Sequence, residues 1–264
     1  MLKKYLKQEI RTQGKTMLMI YSVLALATIL MLIFFLIQKT AVNPFFEGVY
    51  YIACGVYALT VTVSAVVSFI YLCYHFYQTM YSQQGYLTHT LPLKTTDILH
   101  VKILVSCGFL LLTAALCLLS FAGLGALQDG LSMGELLEAF MQALSELGKE
   151  MGVSAAVVLL LIIGMAVAGC VSSLLLFFAG SSVGQLFHRS KGVCGIAAGI
   201  GIYYLSEIVS AVVIVAIFYF VYTGMPEVMN FSWFFGGTIL LLLFWSAVYY
   251  TVCRRILLKH LNLE

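Results

Sequence analysis

MLMIYSVLALATILMLIFFLI, residues 17–37, runs without a single charged side chain. About 20 consecutive apolar residues suffice for an α-helix to cross the hydrocarbon core of a bilayer. No small-residue cleavage site follows the run, and the preceding MLKKYLKQEIRTQGK is too long and too polar for the leading region of a secretory signal. The run reads as a retained membrane span. Five more apolar runs lie further along the chain, at 50–77, 99–127, 153–180, 194–222 and 233–253. Only 9% of the 264 residues are charged and 62% are hydrophobic, against roughly 25% charged residues in soluble domains. So few charges cannot cover a water-facing surface. The pattern predicts an all-α polytopic membrane protein with six transmembrane helices. The length suits one transmembrane domain over 1–264 and leaves little room for a separate soluble one.

Charge sets the expected sidedness. Lys3, Lys4, Lys7, Arg11 and Lys15 precede the first span. Lys94 and Lys102 lie in or beside the second loop, Arg189 and Lys191 in the fourth, and Arg254, Arg255 and Lys259 after the last span. Only Lys39 and Lys149 fall on the other side. The positive-inside rule then places both termini in the cytoplasm. Tyr50, Tyr77, Tyr222, Trp233 and Tyr250, near span ends, fit an interfacial aromatic belt.

Two segments outside the spans carry helical periodicity. Leu2, Leu6 and Ile10 recur among basic residues, which predicts an N-terminal amphipathic helix on the inner membrane face. Between spans 3 and 4, SMGELLEAFMQALSELGKEMG opens with Ser132 and Glu135 in capping-box spacing. Leu136, Leu137, Phe140, Met141, Leu144 and Leu147 then form one apolar stripe. This predicts an extracellular amphipathic helix resting on the outer leaflet or on neighbouring spans.

Several chemistries are absent or weakly signalled. No G-x-x-x-x-G-K-[ST] phosphate loop and no H-E-x-x-H zinc pair occurs. The seven cysteines sit in or at the edges of apolar runs with no C-x-x-C pair, so they read as packing residues and not as a disulfide or metal framework. His75, His89, His100, His188 and His260 show no ligand spacing, and no metal site is expected. GSSVG, residues 180–184, matches the nucleophile pattern G-x-S-x-G around Ser182, but it ends a membrane helix and not a strand. Its small residues, like those of GIAAGIG at 195–201, read as a close helix-packing face. No catalytic residue is expected. Glu207, in YYLSEIVSAV near the middle of the fifth run, stands apart. A charged residue there must face the bundle interior, a partner or water. It reads either as a pathway or coupling residue, or as a hydrogen-bonded carboxyl that holds helices together.

The second loop, about residues 78–98, is the longest polar cytoplasmic segment between spans, and it carries most of the polar elbow QQGYLTHTLPLKTTDILHVK, residues 83–102. Pro92 biases Leu91 away from helical angles. Thr95 or Thr96 can cap a new helix, with Asp97 favoured in its first turn. GYLTHTLP therefore reads as a shaped, mostly uncharged turn. Its apolar residues offer either a docking surface for a partner or a tight loop packed on its own helix ends.

The segment FYQTMYSQQGYLTHTLPLKTTDILHVKILV, residues 76–105, resembles the stretch after the second span of bacterial ABC-2-type transporter permeases, with a G-Y-L-T-x-T-L-P core followed by I-L-x-x-K. GQLFHRSKGVCGI, residues 184–196, is similar to the basic fourth-loop stretch of the same family. The resemblance implies a multi-pass permease of a bacterial plasma membrane, paired with a second permease subunit, homo- or heterodimeric. It also implies separate ATP-binding subunits that carry ATP and Mg²⁺, with no cofactor on this chain and no nucleic-acid partner. The family's ATPase-coupling role falls on Gly85, Tyr86, Leu87, Thr88, His89, Thr90, Leu91 and Pro92, and analogy favours export. Many family members have re-entrant helices between the last two spans, whereas here 223–232 is too short for much of one and 129–152 is long. The rival reading is a secondary transporter or intramembrane enzyme that uses Glu207 and needs no ATPase. A secondary transporter should show inverted repeats, and no convincing repeat relates 1–127 to 128–264.

Overall fold

A computed structural model describes residues 1–40, 44–90, 92–128, 130, 132–187, 191–224 and 231–259. These residues form α1 (Leu2–Thr40), α2 (Pro44–Met80), α3 (Gln83–His89), α4 (Thr95–Gln128), α5 (Met133–Met151), α6 (Ala155–Gly184), α7 (Lys191–Gly224) and α8 (Phe231–Lys259), with no strand among them. Six helices, all but α3 and α5, are long and apolar enough to cross a membrane. Each extends beyond the apolar run that announced it, because a helix once nucleated continues through polar residues at little cost. The first is the extreme case. The N-terminal segment is not a separate amphipathic helix but the opening turns of α1. This helix is 39 residues long, or about 58 Å at 1.5 Å per residue. Leu2 and Ile10 are exposed on it, while Glu9 and Gln13 are buried and joined by a Gln13 Nε2 to Glu9 Oε1 hydrogen bond of 3.0 Å.

The chain divides into two compact units, Met1–Tyr74 with Gly108–Ala139, and His75–Cys107 with Phe140–Glu264. In the first unit, Leu24 and Met31 of α1, Tyr50, Tyr57 and Val61 of α2, and Leu124 of α4 form one buried cluster. Polar bonds fix these helices in register. Tyr21 donates to the Phe109 carbonyl at 3.0 Å, Tyr57 donates to Ser120 Oγ at 2.8 Å, and Gln128 donates to the Tyr50 hydroxyl. In an apolar solvent such groups must find partners inside the protein. Outward faces are apolar, as lipid contact requires: Leu18, Ile52 and Leu118 are each more than two-thirds exposed.

In the second unit, α6 packs against α7 and α8. Glycines permit the α6–α7 approach. A Cβ on Gly180 would lie 2.6 Å from the Gly199 Cα, and one on Gly195 would lie 3.4 Å from the Ser181 Cα. The small residues of GSSVG and GIAAGIG thus act as the packing face read from the sequence. The amphipathic α5 is closed at both ends. Ser132 N donates to Glu135 Oε2 at 2.6 Å, and Glu135 N donates to Ser132 Oγ at 3.3 Å, a reciprocal capping box. These bonds, the backbone N–H first, hold the Glu135 carboxyl below its usual pKa range. At the other end Gly152, with φ +66°, lets Val153 N reach the Gly148 carbonyl at 2.9 Å and its own N–H reach Lys149 O at 3.2 Å. Leu144 and Met151 then cluster with Val158 of α6.

Candidate functional site

The elbow between α2 and α4 belongs to the second unit. Where the sequence reads as a turn, residues 83–89 wind into the short helix α3. Ser82 is extended, Gly85 N donates to Ser82 O at 2.7 Å, and Thr90 N donates to Tyr86 O at 3.2 Å, so the local backbone donors find carbonyls without a strand or open loop. Gly85 faces inward and is buried, while Tyr86 faces out with 66% of its surface exposed. Thr88 bonds back to the Gln84 carbonyl at 3.1 Å. Leu87 and His89 lie on α3, Thr90 ends it, and Pro92 follows in a bend. Leu91 lies outside the described residues. α4 begins at Thr95 with Asp97 in its first turn, as the dipole argument expects.

The helix ends on either side of α3 are anchored in a packed interior. Phe76 stacks face to face on Phe178 of α6, with ring centroids 3.7 Å apart and planes 9° from parallel. Tyr81, just past the end of α2, is buried, and its hydroxyl lies 2.6 Å from Ser182 Oγ. Ser182 passes its own proton to the Phe178 carbonyl at 2.7 Å, which leaves Tyr81 as the donor to Ser182. Cys253 of α8 lies 3.2 Å from the same hydroxyl. Burial pushes the Tyr81 phenol well above its ordinary pKa, so it stays a neutral donor. Ser182 is thus a wholly buried structural junction on a helix, with none of the strand-to-helix context a nucleophile needs.

Lys102 of α4 behaves differently from the other cytoplasmic cations of the sequence reading. It is only 1% exposed, and its Nζ donates to Thr79 Oγ1 at 2.7 Å. Thr79 in turn donates to the His75 carbonyl at 2.6 Å. Two residues before Lys102 on α4, His100 Nε2 meets the Tyr250 hydroxyl of α8 at 2.8 Å, with the two rings stacked. Three polar ties therefore join the flanks of the elbow to the helices beneath: Tyr81–Ser182 to α6, Lys102–Thr79 between α2 and α4, and His100–Tyr250 to α8. Composition signalled none of these pairs. Their only sequence trace is the polar character of Thr79, Lys102 and His100 at the margins of apolar runs.

Glu207 is not brought to the elbow. It lies midway along α7 and is exposed at the surface of the chain, where the sequence reading expects it to face the bundle interior, a partner or water. Its polar neighbours in sequence differ from it in burial. Ser206 and Ser210 are buried, Ser206 bonded to the Tyr203 carbonyl at 2.7 Å and Ser210 accepting from Trp245 Nε1 of α8 at 2.8 Å. The Trp245–Ser210 bond holds the rotation of α7 against α8, and Glu207 is left exposed. A charged side chain facing hydrocarbon costs at least about 2.5 kcal/mol.

Among the described residues no three His, Cys, Asp or Glu side chains gather to hold a metal ion; His188 and His260 lie outside those residues. All seven cysteines are free and sit in helices. No protein-family model, curated protein or solved structure matches this chain.

Proposed function

We propose that this chain is the transmembrane permease subunit of an ATP-driven transporter of the ABC-2 kind, an exporter in a bacterial plasma membrane, with ATP and Mg²⁺ bound by a separate ATPase. The observation that supports this reading is the build of the elbow. A short helix presents Tyr86 outward while its flanks are tied into α6 and α8 by Tyr81–Ser182 and His100–Tyr250. An exposed aromatic residue on a rigid mount suits docking of a protein partner. A push delivered to α3 passes through these ties to the spanning helices. Closure of a nucleotide-bound ATPase dimer would then bias a two-state equilibrium between inward and outward access.

The test is co-purification. Tagged wild-type chain, isolated in mild detergent from the host that makes it, should carry an ATP-hydrolysing subunit. Tyr86→Asp should insert and fold normally, because the side chain is outward-facing, yet lose at least about tenfold of the bound ATPase, a loss expected of a buried aromatic anchor. Retention of the ATPase by Tyr86→Asp would remove α3 as the docking surface, and absence of any ATPase from the wild type would remove the transporter reading. Sidedness follows the same proposal. With the native cysteines replaced, Glu146→Cys should react with a membrane-impermeant thiol reagent applied to intact cells, and Lys94→Cys only after lysis. The reverse pattern would invert the topology.

A further inference from the structure

A groove runs along the first unit between α1 and α2. Its walls reach from Val23 to Phe34 on one helix and from Val49 to Thr60 on the other, and it encloses about 420 Å³. Ala27 and Ala53, one on each wall, leave the space that larger side chains would fill. Met31 and Tyr57 form a buried floor, whereas Leu26, Leu30, Ile52 and Val56 are exposed along the rim, so the groove opens sideways. The two polar side chains on its wall are both engaged. Tyr57 donates to Ser120 Oγ at 2.8 Å, and Thr60 donates to the Val56 carbonyl at 2.8 Å. From Val23 to Phe34 is about 16 Å at 1.5 Å per residue, close to the ~15 Å half-thickness of a hydrocarbon core. The mean cross-section is then about 25 Å², a slot roughly 5 Å wide. An α-helix with its side chains is about 10–12 Å across and cannot enter such a slot. An extended hydrocarbon chain, little wider than one carbon–carbon contact of about 4 Å, fits it.

The end of the groove that holds Phe34 and Val49 lies toward the connection between the two helices. There Lys39 stands in the last turn of α1 and Glu47 in the first turn of α2, both exposed. Lys39 is about 7.5 Å of helix rise beyond Phe34, so charges of opposite sign stand just past an apolar slot one leaflet deep. We propose that the groove holds one acyl chain of a zwitterionic aminophospholipid from the leaflet nearest the α1–α2 connection, with the phosphate at Lys39 and the ammonium group at Glu47. Hydrocarbon tails are as apolar as leucine, so escape from water gives the site no preference. Preference comes from shape, because a void too narrow for other groups forfeits the contacts of its walls, and from the paired charges at the mouth. The bound chain fills the space beside the buried cluster of Leu24, Met31 and Tyr57 and brings it to the packing density of an interior. This proposal rests on α1 and α2 crossing the membrane and not on the permease reading.

Native mass spectrometry of the full chain in detergent, titrated with phosphatidylethanolamine, tests the site. One lipid should stay bound after the looser ones are stripped away. Ala53→Phe, which puts a ring into the slot, should weaken that binding at least about tenfold, as overpacking does. Ala58→Phe, exposed on the same helix outside the groove, should leave it unchanged. Diacylglycerol, with the same chains and no charge, should bind at least about tenfold more weakly, the loss of charge-assisted contacts. A phosphatidylethanolamine with a diazirine on its chain, in nanodiscs with the wild-type chain, should label 23–34 and 49–60 above the other apolar surfaces. That measurement decides the question even where Ala53→Phe fails to fold. Labelling as heavy around Leu18 and Leu118, exposed outside the groove, would make the lipid mere solvent and overturn the proposal. So would unchanged binding by folded Ala53→Phe, equal binding of diacylglycerol, or a groove left unlabelled because a second copy or another protein covers it. None of these readouts involves ATP, so failure here leaves the permease reading to its own test.

Discussion

Phe178→Ala is expected to lower the unfolding free energy by about 3–5 kcal/mol, the range for emptying an aromatic site in a packed interior. Phe178 is fully buried, and its ring lies flat on Phe76, itself 1% exposed. The two rings close the space where the end of α2 meets α6, immediately beside the Tyr81–Ser182 bond. Removing one ring leaves a cavity that neither helix can fill, since α6 is also held against α7 at Gly180. The neighbouring residue supplies the control. Phe177 is 38% exposed, and its replacement by Ala should cost clearly less than that of Phe178, because less apolar surface is taken from the interior. Reversible denaturation in detergent micelles measures both. Equal losses at 177 and 178 would mean that the stacked pair does not anchor the elbow.

Gly180→Ala is the second large effect, and it acts by the opposite means. The added methyl would sit 2.6 Å from the Gly199 Cα and 2.9 Å from its nitrogen. Both are backbone atoms, so no side chain can rotate away and α7 itself must move. Overpacking of this kind costs about 1–3 kcal/mol. The partner glycine is not equivalent. A Cβ on Gly199 would meet only the Gly180 Cα, at 3.8 Å, which is ordinary van der Waals distance, so Gly199→Ala should be close to neutral. A depressed thermal midpoint for Gly180→Ala with an unchanged one for Gly199→Ala is the expected pair of results. Equal depression would contradict the α6–α7 crossing geometry.

Much of the architecture was legible in residue order. A span of the bilayer demands a run of about 20 apolar residues, and no other common element demands one, so the six long helices could be counted and placed. The ends were less exact. The last apolar run stops at residue 253, but α8 continues to Lys259, because helical hydrogen bonds do not end where hydrophobicity does. The Ser132–Glu135 cap and the glycine packing face were also readable, since each depends on residue types at short, fixed spacing. The elbow was readable in place but not in form. Glycine, threonine and the following proline argue for a turn, and the packed flanks at Tyr81 and Lys102 instead hold residues 83–89 as a helix.

Azimuth is what the sequence alone could not supply. α7 is apolar almost all the way round, so no periodicity separates its inner face from its outer one. The depth of Glu207 followed from counting residues. Its direction was decided by Gly180 meeting Gly199 and by Trp245 bonding Ser210, contacts between residues far apart in the chain. Lys102 shows the same limit from the polar side. Composition counts it with the solvated cations of the cytoplasmic face, but Thr79, on α2, offers an acceptor at 2.7 Å in the interior, and Lys102 is 1% exposed. Sequence by itself determined which segments are long and apolar enough to cross a membrane and how many there are, because that depends on local hydrophobicity. Tertiary structure decided which side chains face inward, because that depends on pairs of helices brought together only by packing.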